Sequence, residues 1–306
     1  MRNSIITLIF FITTLTAFGQ KKMENKFFTW DNFVDGFSKE IVTAEDVFNN
    51  MVKNGLKDYF LIEMDFTFIS DKKEKLEKLG EFIKTHYPYS VQKVEKFEGI
   101  WEINGKTNEM PITVDNLMYW VLDMYKRGYE FDATLDAYGG LHDPKAPKYL
   151  DLDTLKSAPF FNKGMECYSK GDLSGAIFNW SLTIAIDPKD PNAYYSRAIV
   201  KNELYKWKSA LKDYDKAIEI APRFTSALLN RGALKDEYED YQGAIADYET
   251  ALQIDNIKIE DKQQTYFNLG NTYLNLKDKK RACENWNKAL ELGADYAKER
   301  ILEHCK

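Results

Sequence analysis

A repeated pattern of small and aromatic residues between positions 157 and 296 constrains this chain more than any other feature. Alanine recurs at intervals of 34, 34 and 38 residues, an aromatic residue follows each alanine by four positions, and another small residue precedes it by twelve. The three sets are Ala176, Ala210, Ala244 and Ala282; Trp180, Tyr214, Tyr248 and Trp286; and Gly164, Ala198, Gly232 and Gly270. Each copy has two segments of helical periodicity, so the pattern predicts stacked helix pairs with the small residues at close crossings.

These residues resemble the tetratricopeptide (TPR) repeat family. Leu269, Gly270 and Tyr273 reproduce its Leu-Gly-x-x-Tyr run, and Pro188 and Pro222 end the first two copies, where a ring without an N–H cannot continue a helix. The first apolar position of the repeat holds Phe160, Tyr194, Leu228 and Tyr266, and the later small site holds Thr183, Ala217, Ala251 and Ala289. The resemblance implies an all-α TPR solenoid of four repeats, 157–190, 191–224, 225–258 and 263–296, with residues 297–306 as a capping helix.

The chain departs from the family pattern inside the repeats. Lys163, Arg197 and Arg231 replace the leucine that precedes the early small residue, and Lys201 and Lys235 replace the tyrosine. Four copies at this spacing still predict the architecture, but they do not identify a partner.

In the TPR family, the first helix of each pair lines a concave groove, and the resemblance implies that this groove binds a peptide or protein. Asparagine amides can donate to and accept from a peptide backbone, and aromatic side chains can act as apolar anchors. The implied groove residues are Phe161, Asn162, Met165, Tyr168, Asn192, Tyr195, Asn202, Leu229, Asn230, Phe267, Asn268 and Asn271. An equally weighted alternative is that the asparagines are consensus residues of the repeat without a role in binding. The lysine and arginine clamp of chaperone-binding members is not reproduced at these positions.

Residues 41–150 show the order helix, strand, helix, strand, strand, helix and strand. Caps predict the helices: Thr43 opens the first and Gly55 ends it, Asp71 opens the second, and Ile112 or Thr113 opens the third. Alternating apolar residues predict strands at 59–69, 90–97, 100–104 and 131–138, with turns at Glu98-Gly99 and Asn104-Gly105. We therefore expect an α+β domain with a ferredoxin-like antiparallel sheet and two helices on one face.

Residues 48–143 also resemble the regulator of ribonuclease E activity, type B (RraB-like) family, in the order of elements and in four short motifs. The motifs are Lys53-Asn54-Gly55, Gly99-Ile100-Trp101-Glu102, Tyr129-Glu130-Phe131-Asp132 and Asp136-Ala137-Tyr138-Gly139-Gly140. The family implies inhibition of a cytoplasmic ribonuclease by protein contact. Because the leader described next predicts export, we expect the fold to carry over without that activity.

The first nineteen residues are typical of a secretory signal peptide. Arg2 is followed by an apolar run from Ile5 to Leu15 and by Ala17-Phe18-Gly19, which predicts cleavage after Gly19. A retained membrane anchor is a weaker alternative because a spanning helix needs about 20 apolar residues. The expectation is a periplasmic or secreted protein with no membrane span after cleavage, in which residues 20–40 form a linker or a strap on the next domain.

Export affects how the three cysteines are interpreted, because disulfides persist in oxidising compartments. Cys167 is expected to be a small buried residue inside the first repeat. Cys283 and Cys305 can form a disulfide if the last helix packs on the fourth repeat. The bridged and unbridged states are equally compatible with the sequence.

Neither the charge nor the motifs point to catalysis or to nucleic acid. The net charge of −6 is unfavourable for binding a phosphate backbone, and none of the three histidines has the spacing of a metal site or a nucleophile-base pair. One cluster, Asp136, Tyr138 and His142-Asp143, has groups suited to proton transfer, although turn residues bonded to their own backbone are the favoured interpretation. We expect a non-enzymatic scaffold without catalytic, cofactor or metal site that binds an unknown protein or peptide. The alternative is a protein inhibitor or regulator acting through the RraB-like domain, with the repeats positioning it.

Overall fold

The computed structural model describes residues 24–141 and 147–305. The chain divides into two compact units, an amino-terminal unit Met23–Pro222 and a carboxy-terminal unit that contains Arg223–Lys306. The predicted signal peptide and the His142-Asp143 pair lie outside the described residues. Among the described helices, none is both long and apolar enough to cross a membrane.

The amino-terminal unit contains an antiparallel sheet with a long central strand. The strands are β1 Phe60–Ser70, β2 Ser90–Val91, β3 Glu95–Phe97, β4 Ile100–Lys106, β5 Met110–Ile112 and β6 Thr134–Leu141. Strand β1 is flanked by β4 and β6, while β2 and β3 pair with β4. The short strand β5 pairs with the beginning of β1.

Alternation along β1 separates a core face from a polar face. Phe60, Ile62, Met64, Phe66 and Phe68 are buried, and the residues between them are half-buried, as expected for a sheet covered on one side. The core is completed by three helices, α1 Trp30–Lys53, α2 Lys73–His86 and α3 Val114–Glu130.

The first helix begins earlier than predicted. Thr29, and not Thr43, is the N-cap, because its hydroxyl oxygen accepts from the backbone N–H of Asn32 at 3.3 Å. Phe33 stacks on Tyr125 of α3 with ring centroids 5.2 Å apart, so the aromatic residues of this segment form the apolar face of a helix. Residues 30–40 are therefore helical, whereas the sequence predicted a linker or strap.

The predicted turn at Asn104-Gly105 is wrong, because both residues lie within β4. A Cβ atom on Gly105 would lie 2.2 Å from Cζ of Phe66, so the glycine makes room for a core aromatic ring. The turn at Glu98-Gly99 is confirmed, with φ of 45° and 93°. The predicted strand 90–97 is interrupted and forms the two short strands β2 and β3.

The helical half of the chain consists of four helix pairs and a final short helix, in a TPR-like arrangement. The amino-terminal unit holds α4 Ser157–Ser169, α5 Leu173–Ile186, α6 Pro191–Glu203 and α7 Trp207–Ile220. The carboxy-terminal unit holds α8 Thr225–Glu237, α9 Tyr241–Leu252, α10 Ile259–Asn275, α11 Lys279–Glu291 and α12 Ala297–His304.

The sheet and the first two repeats share one compact unit, although the sequence predicted a domain boundary between 150 and 157. Helix α3 is buried on both faces: Trp120 belongs to the core of the sheet, while Tyr119 and Leu122 join a cluster with Leu173 and Val200 of the repeats. The second apolar face explains why the repeats pack against it.

Candidate protein-binding surfaces of the helical repeats

The small residues of the repeats make room for large buried aromatic residues. A Cβ atom on Gly164 would lie 2.5 Å from Nε1 of Trp180, and one on Gly270 would lie 2.4 Å from Cδ1 of Trp286. In the third repeat, the corresponding distance from Gly232 to Cε1 of Tyr248 is 2.7 Å. The predicted close approach is confirmed, and the partner of each glycine is the aromatic residue on the second helix of the same repeat.

Ion pairs replace the apolar contact where Arg and Lys depart from the family pattern. In the second repeat, Arg197 and Lys201 both donate to the carboxylate of Asp213, at 2.8 Å and 2.9 Å. In the third repeat, Arg231 and Lys235 surround Asp247 in the same way. The arginine and lysine side chains therefore form ion pairs inside the repeats, where the two carboxylates are buried.

Three of the predicted groove residues in the first repeat are committed to internal packing. Phe161, Met165 and Tyr168 pack against the cluster that contains Tyr119 of α3. The Tyr168 hydroxyl donates to Glu203 at 2.6 Å, and burial together with this carboxylate raises the pKa of Tyr168. These residues are not freely displayed anchors, because the sheet-bearing part of the chain completes their surroundings.

The polar groove candidates of the first two repeats are more accessible. Asn162 and Asn192 are exposed, while Asn202 is half-buried. Tyr195 is also half-buried, and its ring lies 6.1 Å from that of Tyr214. This part of the predicted surface can offer amides to a partner.

In the carboxy-terminal unit, several predicted groove residues make internal contacts. Leu229 has only 3% of its surface exposed, so it is a core residue and not an available anchor. The Asn271 side-chain oxygen accepts from Nε1 of Trp286 at 3.2 Å. Asn230 and Asn268 are half-buried. For Asn271, this bond favours the structural interpretation of the repeat asparagines.

Phe267 belongs to the most exposed aromatic surface of this unit. Its ring lies edge-to-face on Tyr296, with centroids 4.9 Å apart, and Tyr296 has 45% of its surface exposed. Tyr296 and Leu302, which is 65% exposed, line one open depression of about 650 Å³. We call Phe267, Tyr296 and Leu302 the repeat-four patch. The sequence signalled Phe267 through its repeat position, but exposure of the other two required the structure.

A disulfide holds the last helix on the fourth repeat. Cys283 of α11 and Cys305, which follows α12, are joined by an S–S bond of 2.05 Å, and the His304 ring stacks on Trp286 at 5.6 Å. Cys167 is a free buried thiol. Tyr296 directly precedes α12, and Leu302 lies within it. Because the disulfide holds α12 in place, it helps to fix the geometry of the repeat-four patch.

Two carboxylates meet in the interior of the amino-terminal unit. Asp123 of α3 accepts from the Ser174 backbone N–H at 2.9 Å, and Asp172, the N-cap of α5, accepts from Gly175 at 2.7 Å. Burial, and then the nearby charge of Asp123, raises the pKa of Asp172 to about 7. The Arg127 guanidinium donates a hydrogen bond to the Gly171 carbonyl at 2.8 Å. This cluster joins α3 to the first repeat, and both of its carboxylates are buried.

The structure brings together no metal-binding cluster of histidine, cysteine or carboxylate side chains within residues 24–141 and 147–305. Of the predicted proton-transfer candidates, Asp136 and Tyr138 lie in β6, while His142 is outside the described residues. Burial raises the pKa of Tyr138, which disfavours its ionisation.

Comparison with known proteins identifies one of the repeats directly. The family model of the tetratricopeptide repeat matches residues 263–296. These residues are a tetratricopeptide repeat. The matched segment includes most of α10 and all of α11, and it contains Phe267 and Tyr296 of the repeat-four patch.

Solved structures of TPR proteins are similar to the helical part. Pseudomonas aeruginosa pilF is 26% identical over 45% of this chain and 61% of its own, with a TM-score of 0.42. MamA 41-end from Desulfovibrio magneticus RS-1 is 22% identical over 46% of this chain and 77% of its own, with a TM-score of 0.41. The first TPR of Spaghetti (RPAP3), bound to the HSP90 peptide SRMEEVD, is 23% identical over 42% of this chain and 97% of its own, with a TM-score of 0.37.

Proposed function

We propose that this protein is a non-enzymatic protein-protein interaction scaffold whose repeats bind a peptide or protein, with the repeat-four patch as the main anchor site. The supporting observation is the exposed contact of Phe267 with Tyr296 on an identified tetratricopeptide repeat. Large aromatic side chains that are partly exposed and rigidly held are the residues that contribute most to protein interfaces.

The surroundings of the patch favour a partner with basic residues next to its apolar anchor. The depression around Tyr296 is also lined by Asp295, Glu299 and Glu303, against a single lysine, Lys298. Nζ of Lys298 lies 2.8 Å from a carboxylate oxygen of Asp295, so the net charge of the residues that line the depression is negative. Complementary charge at the rim of an interface guides association and disfavours wrong partners.

Photo-cross-linking tests this function. A photoreactive amino acid at exposed Glu299 captures the bound partner in cells, and mass spectrometry identifies it. The Phe267→Ala/Tyr296→Ala variant is expected to reduce the cross-link at least about tenfold, because aromatic anchors contribute 2 kcal/mol or more. The matched control is Val42→Ala/Phe97→Ala, two residues each 58% exposed in the other unit, which should retain the cross-link. Equal yields from both variants would contradict the assignment.

Export is a part of the proposal that the disulfide supports. Cys283–Cys305 is the kind of covalent bond that persists in the periplasm or outside the cell. Cleavage after Gly19 is then expected, and mass spectrometry of the mature protein from its native cell should show Gln20 as the first residue. A mature chain that keeps Met1 and reduced Cys283 would exclude secretion by this route.

The alternative function, inhibition or regulation of another protein, assigns binding to a ferredoxin-like, RraB-like module. The strand order β6, β1, β4, β2 and the two helices α2 and α3 against one face support this topology. Deleting the repeats would uncover Tyr119 and Leu122, so deletion cannot separate the two functions cleanly. A photo-cross-linker at exposed Lys93 is a better test: capture of a partner there, unchanged by Phe267→Ala/Tyr296→Ala, favours this alternative.

A further inference from the structure

A groove runs between helix α2 and the edge of the sheet in the amino-terminal unit. It has a volume of about 460 Å³, and its walls are the successive turns of α2 that carry Lys73, Glu77 and Lys84, and the edge segment 91–94. Ile103 of β4 forms its floor. Gly80 lets α2 pack closely on this floor, because a Cβ atom there would come within 2.7 Å of Cδ1 of Ile103.

The groove has an apolar floor and a basic rim. Val91 and Val94 are half-buried beside Ile103, whereas Lys84 and Lys93 are exposed. Lys73 is neutralised by Glu77, with nitrogen and oxygen 2.9 Å apart. In the part of the chain that the structure describes, neither Lys84 nor Lys93 has an ion-pair partner, so the groove carries an uncompensated positive charge.

One wall of the groove is an open sheet edge. Strands β2 and β3 pair only with β4 among the described strands, which leaves the outer side of both without a neighbour. Gln92 donates its backbone N–H inwards, to the Asn104 carbonyl at 2.8 Å. An edge of this kind offers backbone donors and acceptors to an added strand.

We propose that this groove binds an extended acidic peptide segment, which adds as a strand beside β2 and β3. Alternate side chains of a strand point in opposite directions, so apolar residues can reach the half-buried Val91 and Val94 while acidic residues meet Lys84 and Lys93. The site goes beyond the proposed scaffold function because it uses no residue of the repeats, and it gives the amino-terminal module of the alternative function a ligand of stated chemistry.

A peptide fits the groove better than a nucleic acid does. Single-stranded nucleic acids are held by aromatic stacking together with a continuous basic track. The lining residues include no aromatic side chain, and the Glu77 carboxylate on the rim would repel a phosphate backbone. The apolar floor instead suits aliphatic side chains.

Fluorescence anisotropy with the full chain tests the proposal. The probe is a fluorescein-labelled eight-residue peptide in which glutamate and valine alternate, and saturable, salt-sensitive binding is expected. Lys84→Glu/Lys93→Glu should weaken binding at least about tenfold, because it reverses both unpaired rim charges. The matched control is Lys57→Glu/Lys78→Glu, which makes the same change in net charge at exposed positions outside the groove. Its Kd for the probe should stay within about twofold of the wild-type value. Equal affinity of the two double variants would overturn the proposal.

Three further probes define the occupant. A peptide with lysine in place of glutamate, and one with proline in place of valine, should both fail to bind, because the first reverses the charge and the second removes the N–H groups that pair with the edge. Binding of either peptide would refute charge recognition or strand addition, respectively. An eight-residue uridine RNA that binds more tightly than the peptide and is lost in Lys84→Glu/Lys93→Glu would overturn the choice of a peptide.

Two variants distinguish failure of this proposal from failure of the proposed function. Phe267→Ala/Tyr296→Ala should bind the acidic probe as the wild type does, and Lys84→Glu/Lys93→Glu should retain the Glu299 cross-link. Loss of probe binding in the repeat variant would show that the two surfaces are not independent, and would contradict the assignment to the α2 groove.

Discussion

The guanidinium group of Arg197 donates from two nitrogens to the two oxygens of Asp213, each at 2.8 Å. Lys201 reaches the same carboxylate at 2.9 Å, and burial and the neighbouring Arg197 lower the pKa of Lys201. In the fourth repeat, the equivalent positions hold Leu269, Tyr273 and Asn285. In the second and third repeats the departures from the family pattern thus come as a set, in which an aspartate on the second helix accompanies the two cations on the first.

Removing the shared carboxylate should be costly. Asp213→Ala leaves Arg197 and Lys201 buried without their counter-charge, for which a loss of about 3–5 kcal/mol in the free energy of unfolding is expected. Urea denaturation followed by circular dichroism measures it. The control is Glu219→Ala, which breaks the exposed pair with Lys216 and should leave the urea midpoint close to that of the wild type.

Replacing the whole set should restore stability. The triple variant Arg197→Leu/Lys201→Tyr/Asp213→Asn copies the residues of the fourth repeat, and we expect it to regain most of the loss, since an apolar set of similar volume can replace a buried ion network. A triple variant no more stable than Asp213→Ala would mean that the ion network has a role that packing cannot replace.

The repeat architecture was predictable because its signal is local and recurs. Gly270 and Trp286 stand sixteen positions apart in one copy, and the same spacing returns in Gly164 with Trp180 and in Gly232 with Tyr248. The division into units was not predictable in this way. It depends on Tyr119 and Leu122, which sit on the face of α3 opposite the sheet, and nothing in a single helix pattern shows which element covers a second apolar face.

The contact between Gly270 and Trp286 predicts a specific coupling energy. Gly270→Val places side-chain atoms where the indole lies, and we expect overpacking to cost about 2–3 kcal/mol in the free energy of unfolding. In a double-mutant cycle with Trp286→Ala, the indole is gone and Gly270→Val should be much less harmful, which gives a coupling of about 1–3 kcal/mol. Additive effects in urea denaturation would show that the close approach does not constrain this repeat.

The disulfide should stabilise the carboxy-terminal unit selectively. Its 22-residue separation corresponds to about 3 kcal/mol in the chain-entropy model. Cys283→Ser/Cys305→Ser should therefore speed hydrogen-deuterium exchange in α10 and α11 while leaving α3 unchanged. Wild-type protein treated with dithiothreitol should behave like the double variant, and an equal acceleration in α3 would contradict a local effect.

The candidate binding surface was only partly predictable from repeat positions. Phe267 was identified by its place on the first helix of the repeat, but Leu229 at the equivalent place is a core residue. Asn271 was a candidate for the same reason, yet its amide oxygen accepts from Trp286. Position within a repeat gives the direction of a side chain, whereas exposure depends on neighbours that are distant in the sequence.

Asp172 should make the stability of the amino-terminal unit fall as the pH rises. Its pKa is raised to about 7 in the folded state, by burial and then by Asp123, while the unfolded value is near 3.8. Between these values the folded chain binds more protons than the unfolded chain. This contribution is therefore complete below pH 4 and is lost as the pH rises through 7, with a slope of up to about 1.4 kcal/mol per pH unit.

Asp172→Asn isolates this effect, because the amide oxygen can still accept from the Gly175 N–H but does not ionise. Carboxylates with raised pKa values elsewhere, such as Glu203, are unchanged in the variant, so the difference between the two proteins reports Asp172 together with the groups that its charge acts on. Urea midpoints at pH 5, 6, 7 and 8 should decline more steeply for the wild type than for Asp172→Asn. Parallel declines would mean that Asp172 is ionised in the folded protein across this range, which is incompatible with a buried carboxyl group held beside Asp123.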